Sequence, residues 1–549
     1  MEESKKGKDI LTKLEQLKKF RSPYEADWKL ISKFMAPGLN FWDFVKDTSP
    51  GSSKDIYDTT PISAVKTLAN GLQGYMVSRG TFFKISLESY KLYNRKPTGI
   101  VRAYVQQLEL LFRMIFERSN WYDAINQMLR NGATIGTVVV YPEEIVGEDE
   151  LVFTVVHPKE VWIQDNNYKK VDTVFREFKM TYRDLVERFD ITDATYIKNA
   201  ETSPYGEVTI VHAVYPRTDR DVEKIDNKNK KFASVWVLKE KEAVLEESGF
   251  DMLPYIVWRW STEHGGTYGR SPANDALYDA FRSNILNKTM LEASQESIHP
   301  SLNVPQEKMD TIDLTPRSMN PYADPLRIIT PIQTIGNYPV GLDREQALEK
   351  VIKDHFFVDM FLMLNNTASD KRTAAEVYAM QAEKATVLRP TTARIESELF
   401  DATFDLLYSM AEQNGWLPPV PNELVELLQG EQISIDYENL INYMADSSRD
   451  SQTTDVVINK IMSLAQVDPT VMDNLNLDAY ANHELDKSIL PADIVRSPRE
   501  VAQIRSTRAQ AQKQQMDTEN LQKQASAMKD LGDTDSQNVS KMMGNASGQ

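Results

Sequence analysis

Seven prolines crowd into residues 300–342, at 300, 305, 316, 321, 325, 331 and 339, and they divide the second half of the chain. Each fixes its own φ, removes a backbone donor and biases the residue before it away from the helical region. No helix of useful length fits there. The flanking segments read otherwise. The run "SPANDALYDAFRSNILNKTMLEASQESIH" has Ser271 suited to an N-cap, Pro272 to the first helical position and Asp275 in the first turn. A helix over 272–299 is expected, spanning about 42 Å at roughly 1.5 Å per residue. A second helix is expected over 343–366, amphipathic at first and then apolar almost all round in "FFVDMFLML", so that it needs burial on several sides. The polar break "TASDKR" follows. Thr373 and Glu376 then form a capping-box pattern that opens a helix to Gly415, with a kink expected at Pro390. A proline-rich excursion between two helices projects a tip from a helical hairpin.

The first half supplies a body for that hairpin. Helices are expected over 8–36, 58–77 and, as one long region, 99–131. Between about 133 and 260 the period changes. "TVVVYPEE", "LVFTVVHP", "EVWIQD", "TVFREFKM", "VTIVHAVYP", "ASVWVLKE" and "YIVWRW" are short, β-branched and aromatic. They predict strands of a mainly antiparallel α+β unit, with "TYRDLVERF" as a short helix among them. Residues 416–495 read as helical with polar connections. The tail from 498 is rich in Gln, Ala and Lys/Arg, with a thin stripe of Val501, Ile504, Leu521 and Met528. Such a stripe suits a weakly self-associating helix or a partly disordered tail.

Composition narrows function. Net charge is −17, against the basic character of proteins that wrap DNA. Any contact with DNA must be local, or the DNA must slide past rather than stick. With no cysteine, disulfides, zinc ribbons and thiol nucleophiles are excluded. The N-terminal stretch has no apolar signal-peptide core, and no run of about 20 apolar residues suits a membrane span.

The glycine-rich turn "HGGTYGRSP" before the 272–299 helix invites a phosphate-loop reading. It fails on spacing. With Gly269 as the second glycine, His264 stands where the first belongs, and Arg270 replaces the lysine. Glycines turning the chain, and Ser-Pro starting a helix, explain the stretch better. The six histidines (His157, His212, His264, His299, His355 and His483) form no close ligand pair. Asp354, His355 and Asp359 share part of a helix face, where an ion or hydrogen-bond pair outweighs a metal site. Glu143/Glu144 and Glu246/Glu247 suit a solvated face better than paired-acid chemistry. No catalytic residue, metal ligand or cofactor site is expected. Lys371 and Arg372, in the polar break, stand out only if that loop faces DNA.

In this order, "YDTTPISAVKTLANGLQGYM" (57–76) followed by Phe82-Phe83, "RSNWYDAINQMLRNGATIGTVVVYPE" (118–143), "VHPKEVWIQDN" (156–166), "TYGRSPANDAL" (267–277) and "RTAAEVYAMQAEKATVLRPTTARIESEL" (372–399) resemble the portal (head-to-tail connector) proteins of short-tailed, T7-like bacteriophages. The resemblance spans residues 10–510. Phe82 departs from it, because the family usually carries Trp there.

The resemblance implies an α+β, mainly helical portal fold. Residues 1–132 would be the N-terminal helical part of the wing and 133–266 its α+β part. The first stem helix would occupy 267–299, the clip 300–342 and the second stem helix 343–366. The tunnel loop would be 367–372, with Asn365, Asn366, Lys371 and Arg372 facing DNA. A long kinked wing helix over 373–415 would lead to a crown over 416–495 and a C-terminal barrel helix or flexible tail over 496–549. It further implies a ring, usually of twelve subunits, at the portal vertex of a virion assembled in the host cytoplasm. Its partners would be double-stranded DNA in the channel, the terminase motor, tail adaptor and nozzle proteins, and the major capsid and scaffolding proteins, with no membrane. A large terminase would need a phosphate loop and clustered carboxylates. Another internal virion structural protein is the remaining alternative.

Overall fold

The computed structural model describes residues 2–39, 55–79, 82–87, 99–145, 150–298 apart from isolated positions, 302–303, 330–331, 338–366, 374–421, 433–442 and 498–544, with a few positions between 458 and 476. The chain divides into two units, residues 1–452 and 453–549.

The first unit opens with helix α1 (Glu2–Phe34) and continues through α2 (Thr60–Met76), β1 (Phe83–Leu87), α3 (Gly99–Arg118) and α4 (Trp121–Thr134). The single helix expected over 99–131 is two. Asn120 stops the first by binding elsewhere: its side-chain oxygen accepts from the Phe153 N–H at 2.7 Å, and its amide donates to the Phe153 carbonyl at 3.1 Å. This seats Trp121 in the core, edge-on to Phe153. The β-rich block then forms two antiparallel sheets. β2 (Thr137–Ile145) lies between β3 (Glu150–Val156) and β9 (Ile256–Arg259). β4 (Val161–Asp165), β5 (Val171–Thr181), β6 (Glu207–Pro216), β7 (Phe232–Leu238) and β8 (Ala243–Phe250) make a five-stranded meander, each strand paired with its sequence neighbour. Short helices α5 (Tyr182–Arg188) and α6 (Ala194–Thr202) join β5 to β6.

α1 straps the body together. Ile10 and Leu14 pack on the meander with Trp162 and Phe175, whereas Ile31 and Phe34 join the helical core. Glu177 on β5 ties the strap down. Burial alone would raise its carboxyl, but hydrogen bonds from Lys18 on α1 and Lys239 overcome this and hold it below the usual range. His212 is a satisfied core histidine. It stacks on Trp236 at 3.9 Å, with the Tyr255 hydroxyl 2.7 Å from Nδ1 and Ser234 3.0 Å from Nε2. Burial, then the charges of Arg188 and Arg176, push its pKa well below the ordinary value.

After β9 come α7 (Pro272–Ile298), the two-residue strands β10 (Leu302–Asn303) and β11 (Thr330–Pro331), α8 (Tyr338–His355) and α9 (Val358–Asn366). The helix expected over 343–366 breaks at Phe356-Phe357, where Phe357 is left-handed with φ 53°. The break lets the chain bury Phe356 and also press Phe361 against Gly71 and Tyr75 of α2. A straight helix commits both rings to one fixed spacing. α10 (Ala374–Arg394) runs through Pro390, and the departure from α geometry comes farther on, as a π segment over Ile395–Phe400 before α11 (Asp401–Gln413). Residues 433–437, expected to be helical, form β12 (Ile433–Tyr437), paired antiparallel with β1. The largest core gathers the aromatic rings of Phe82, Phe83, Phe112, Phe116, Trp121, Phe400 and Phe404. Phe82 is fully buried there. In the second unit lies α12 (Pro498–Gly544), where Ile504, Met516 and Leu521 are exposed.

Candidate functional site

α7 and α8 form an antiparallel pair. Near its top, His355 Nε2 lies 3.8 Å from Asp279 Oδ2. Lower down, a methyl group placed on Gly341 would sit 3.4 Å from the Met290 sulfur. One helix therefore descends as the other climbs. Below them β10 and β11 pair antiparallel, Leu302 with Pro331 and Asn303 with Thr330, closing the base of the excursion. The connection over 304–329 lies outside the described residues.

The root of α7 is fixed by short-range chemistry. Ser271 and Asn274 cap each other: the Asn274 side-chain oxygen accepts from the Ser271 N–H at 3.0 Å, and the Ser271 hydroxyl oxygen accepts from the Asn274 N–H at 3.3 Å. That hydroxyl also donates to the Thr134 carbonyl at 2.5 Å. Two backbones cross just ahead of the cap. A Cβ on Gly136 would lie 2.6 Å from the Gly269 carbonyl oxygen, and one on Gly269 would run into the Gly136 carbonyl. Gly136 also has φ 81°. These glycines allow a close crossing of α4's exit and α7's entry. Arg270 is committed to Asp275 at 2.8 Å and Glu263 at 3.4 Å.

Two further latches hold the root. Buried Asp58, just before α2, accepts from the Ser283 hydroxyl at 2.6 Å and from the Thr60 N–H at 2.8 Å. Asn284 completes this latch by accepting from the N–H groups of Tyr57 and Asp58 and donating to the Asp55 carbonyl. On the other side Arg259, only 4% exposed, donates to both carboxylate oxygens of Glu398 on the π segment. Its guanidinium also reaches the Lys169 carbonyl at 2.9 Å. The same π segment presents Glu396 to Asn439 and Asn442, just after β12. The π segment thus ties the long helix to the sheet on one side and to β12 on the other.

Sequence reasoning missed both latches. The first was visible only as "YDTTP" next to a helix start. The second was an arginine between two tryptophans in "WRW" and one acid among three.

The residues singled out in advance now have places. Asn365 and Asn366 end α9, and α10 opens at Ala374. Lys371, Arg372 and the cap residue Thr373 lie in the 367–373 connection, outside the described residues. Asp354, His355 and Asp359 are separated by the Phe357 break: His355 faces Asp279, and Asp359 lies 3.9 Å from Lys384. Among the described residues no His, Asp or Glu cluster suits a metal ion. Of the carboxylate pairs, Glu143 binds Arg188, Glu144 accepts from Asn414, and Glu247 binds Lys6 and Arg217. Among the described residues, no helix is long and apolar enough to cross a membrane.

The body thus anchors an antiparallel helix pair by its root. The chain is a member of the bacteriophage head to tail connecting protein family, whose model matches residues 7–495. Among curated relatives, it is 27% identical over 560 residues to the "Probable portal protein" of Bordetella phage BPP-1, covering 98% of each chain. It is 26% identical over 521 residues to the "Portal protein" of Salmonella phage epsilon15, covering 91% of this chain and 90% of that one.

Proposed function

We propose that this chain is the portal of a short-tailed, T7-like phage. About twelve copies form a ring with closed rotational symmetry at one capsid vertex. Double-stranded DNA enters through the ring during packaging, is retained, and leaves through it at ejection. The observation that carries this reading is the rooted antiparallel pair α7/α8, in a chain aligned nearly end to end with two proteins named as portals. In this reading residues 267–299 and 343–366 are the stem, 300–342 the clip, 1–266 and 373–415 the wing, 416–495 the crown, and 496–549 a barrel helix or tail. The clip docks the terminase motor and later the tail adaptor. Capsid and scaffolding proteins meet the wing.

A net charge of −17 suits a channel through which DNA slides, because acidic walls repel phosphates. The end of α9 and the polar connection after it form the DNA-facing loop. Asn365, Asn366, Lys371 and Arg372 supply brief contacts there. The chain itself is not an enzyme in this reading, and a separate ATPase drives translocation.

Electron microscopy of the purified full-length chain tests the reading. Rings with an open axis are expected; monomers or closed shells overturn it. ATP hydrolysis by the purified chain alone would instead favour a packaging ATPase. For the loop, Lys371→Ala with Arg372→Ala is expected to lower the fraction of particles that retain a full genome. Full retention at the normal packaging rate removes the loop from the mechanism.

A further inference from the structure

The β4–β5 connection, "NNYKK" at 166–170, holds an aromatic and two lysines in a fixed pose. The Asn166 side-chain oxygen accepts from the N–H groups of Tyr168 at 2.9 Å and Lys170 at 3.2 Å. The Asn166 N–H donates to the Lys170 carbonyl at 2.9 Å, and Lys169 is left-handed with φ 61°. From inside, Arg259 holds the Lys169 carbonyl while bound to Glu398. The tip is therefore rigid, yet Tyr168 is 86% exposed. Lys169 reaches Asp165 at 3.4 Å, whereas Lys170 has no ion-pair partner among the described residues. A rigid exposed tyrosine beside cations has the composition of an interface anchor.

A groove of about 410 Å³ lies where α7 starts and α8 ends. Trp260, Pro272, Val351 and Phe357 give it an apolar lining, and Asp275 and Asp354 line it with carboxylates; Arg270, paired with Asp275 and Glu263, and His355, 3.8 Å from Asp279, line it too. Asp275 is engaged by Arg270, but Asp354 has no ion-pair partner among the described residues. The groove thus offers an apolar bed and one unengaged negative charge. The tip offers a ring and one unengaged positive charge. The chain's own tip does not fill its own groove, since Tyr168 stands in solvent and Arg259 fixes its base.

We infer that the occupant is a second copy of this chain: the 166–170 tip of one copy seats in the α7/α8 groove of the next, Tyr168 on the apolar bed and Lys170 against Asp354. Copies that each carry −17 repel one another, so a contact between them favours such a local match of opposite charges. Tip and groove are different surfaces. The contact is heterologous and repeats head to tail, as a closed ring requires. It would also tie the neighbour's grip directly to Arg259 and Glu398. The inference rests on the reading of the chain as a ring subunit.

With no cysteine in the chain, a designed pair reports cleanly. Full-length protein carrying Lys170→Cys and Asp354→Cys is assembled, scored for rings by electron microscopy, oxidised mildly and run on a non-reducing gel. A ladder of covalent multimers that collapses on reduction is expected, with each single variant remaining monomeric. Rings without a ladder overturn the proposal. So do cross-linked dimers of either single variant, because these put two tips or two grooves together. A wild-type preparation without rings instead overturns the ring reading, and the proposal with it. Charge reversal gives a second measure if the cysteine pair fails to assemble. Lys170→Asp or Asp354→Lys alone should lower ring yield about tenfold, a hot-spot effect, and the two together should restore it. Unchanged yield in both single variants overturns the contact.

Discussion

The two halves of α7 share one helix and little else. From 272 to 284 it is built into the body, with Pro272, Ala273, Ala276, Leu277, Ala280, Ser283 and Asn284 buried. From 285 to 298 no residue is buried, and Leu291 and Ile298 are 48% and 70% exposed. At about 100° per residue, Leu291 and Ile298 continue the stripe begun by Leu277, Ala280 and Asn284. The same stripe is core above and solvent below. The root takes its stability from the chain's own contacts. The shaft depends on α8 and on whatever else is brought to it. A cantilever of this kind keeps its angle fixed while its free surface is left for partners.

The hardest way to break this contrast is at Glu398. Glu398→Ala leaves Arg259 buried without its counter-charge, and breaking one side of a buried pair costs about 3–5 kcal/mol. Chemical denaturation of the unassembled chain should show a loss of that size. A loss under about 1 kcal/mol would mean that the root is not held there. Asp58→Ala comes next. It strands the buried Ser283 hydroxyl and leaves the half-buried Thr60 N–H without its acceptor, and hydrogen bonds to charged groups contribute about 1.5–3 kcal/mol each. The same measurement should find a loss near the upper end of that range. Asp58→Asn, which keeps an acceptor, should recover part of it. Ser271→Ala removes the helix cap and the bond to the Thr134 carbonyl, with an expected cost of about 1–2 kcal/mol.

How legible each half was follows from the range of the forces involved. The start of α7 was readable because a serine cap and an N1 proline act within a turn, and Ser271 and Pro272 stand in those roles. The strands were readable because their β-branched and aromatic runs are local, and short connections give the antiparallel pairing of the β4–β8 meander and of β2 with β3, but not that of β2 with the distant β9. The Phe357 break was not, since neither Gly nor Pro marks it; burial of Phe356 and Phe361 against distant helices decides it. Pairing of β1 with β12 was hidden for the same reason: five residues each, with Ser86 and Ser434 joined across 348 positions. Of the candidate DNA-facing loop, Asn365 and Asn366 fall at the end of α9, and Lys371 and Arg372 lie outside the described residues. The root latches depend on residues such as Asp58 and Ser283, 225 positions apart. Local patterns therefore revealed the lever but not its bearings.

The smallest expected effect is the sharpest test of the contrast. Leu291→Ser with Ile298→Ser changes two large apolar residues on the shaft, a substitution that in a core costs several kcal/mol. If the shaft is free in the single chain, the unassembled protein should change stability by no more than about 0.5 kcal/mol, because little apolar contact is lost. The pair of variants should still weaken assembly if a neighbouring copy covers that stripe, so ring yield is measured on the same preparation. A loss above about 1 kcal/mol in the unassembled chain would mean that the stripe is already covered from within, and the division between root and shaft would fail. No loss in stability together with fewer rings would place the missing half of this helix's core in the next subunit.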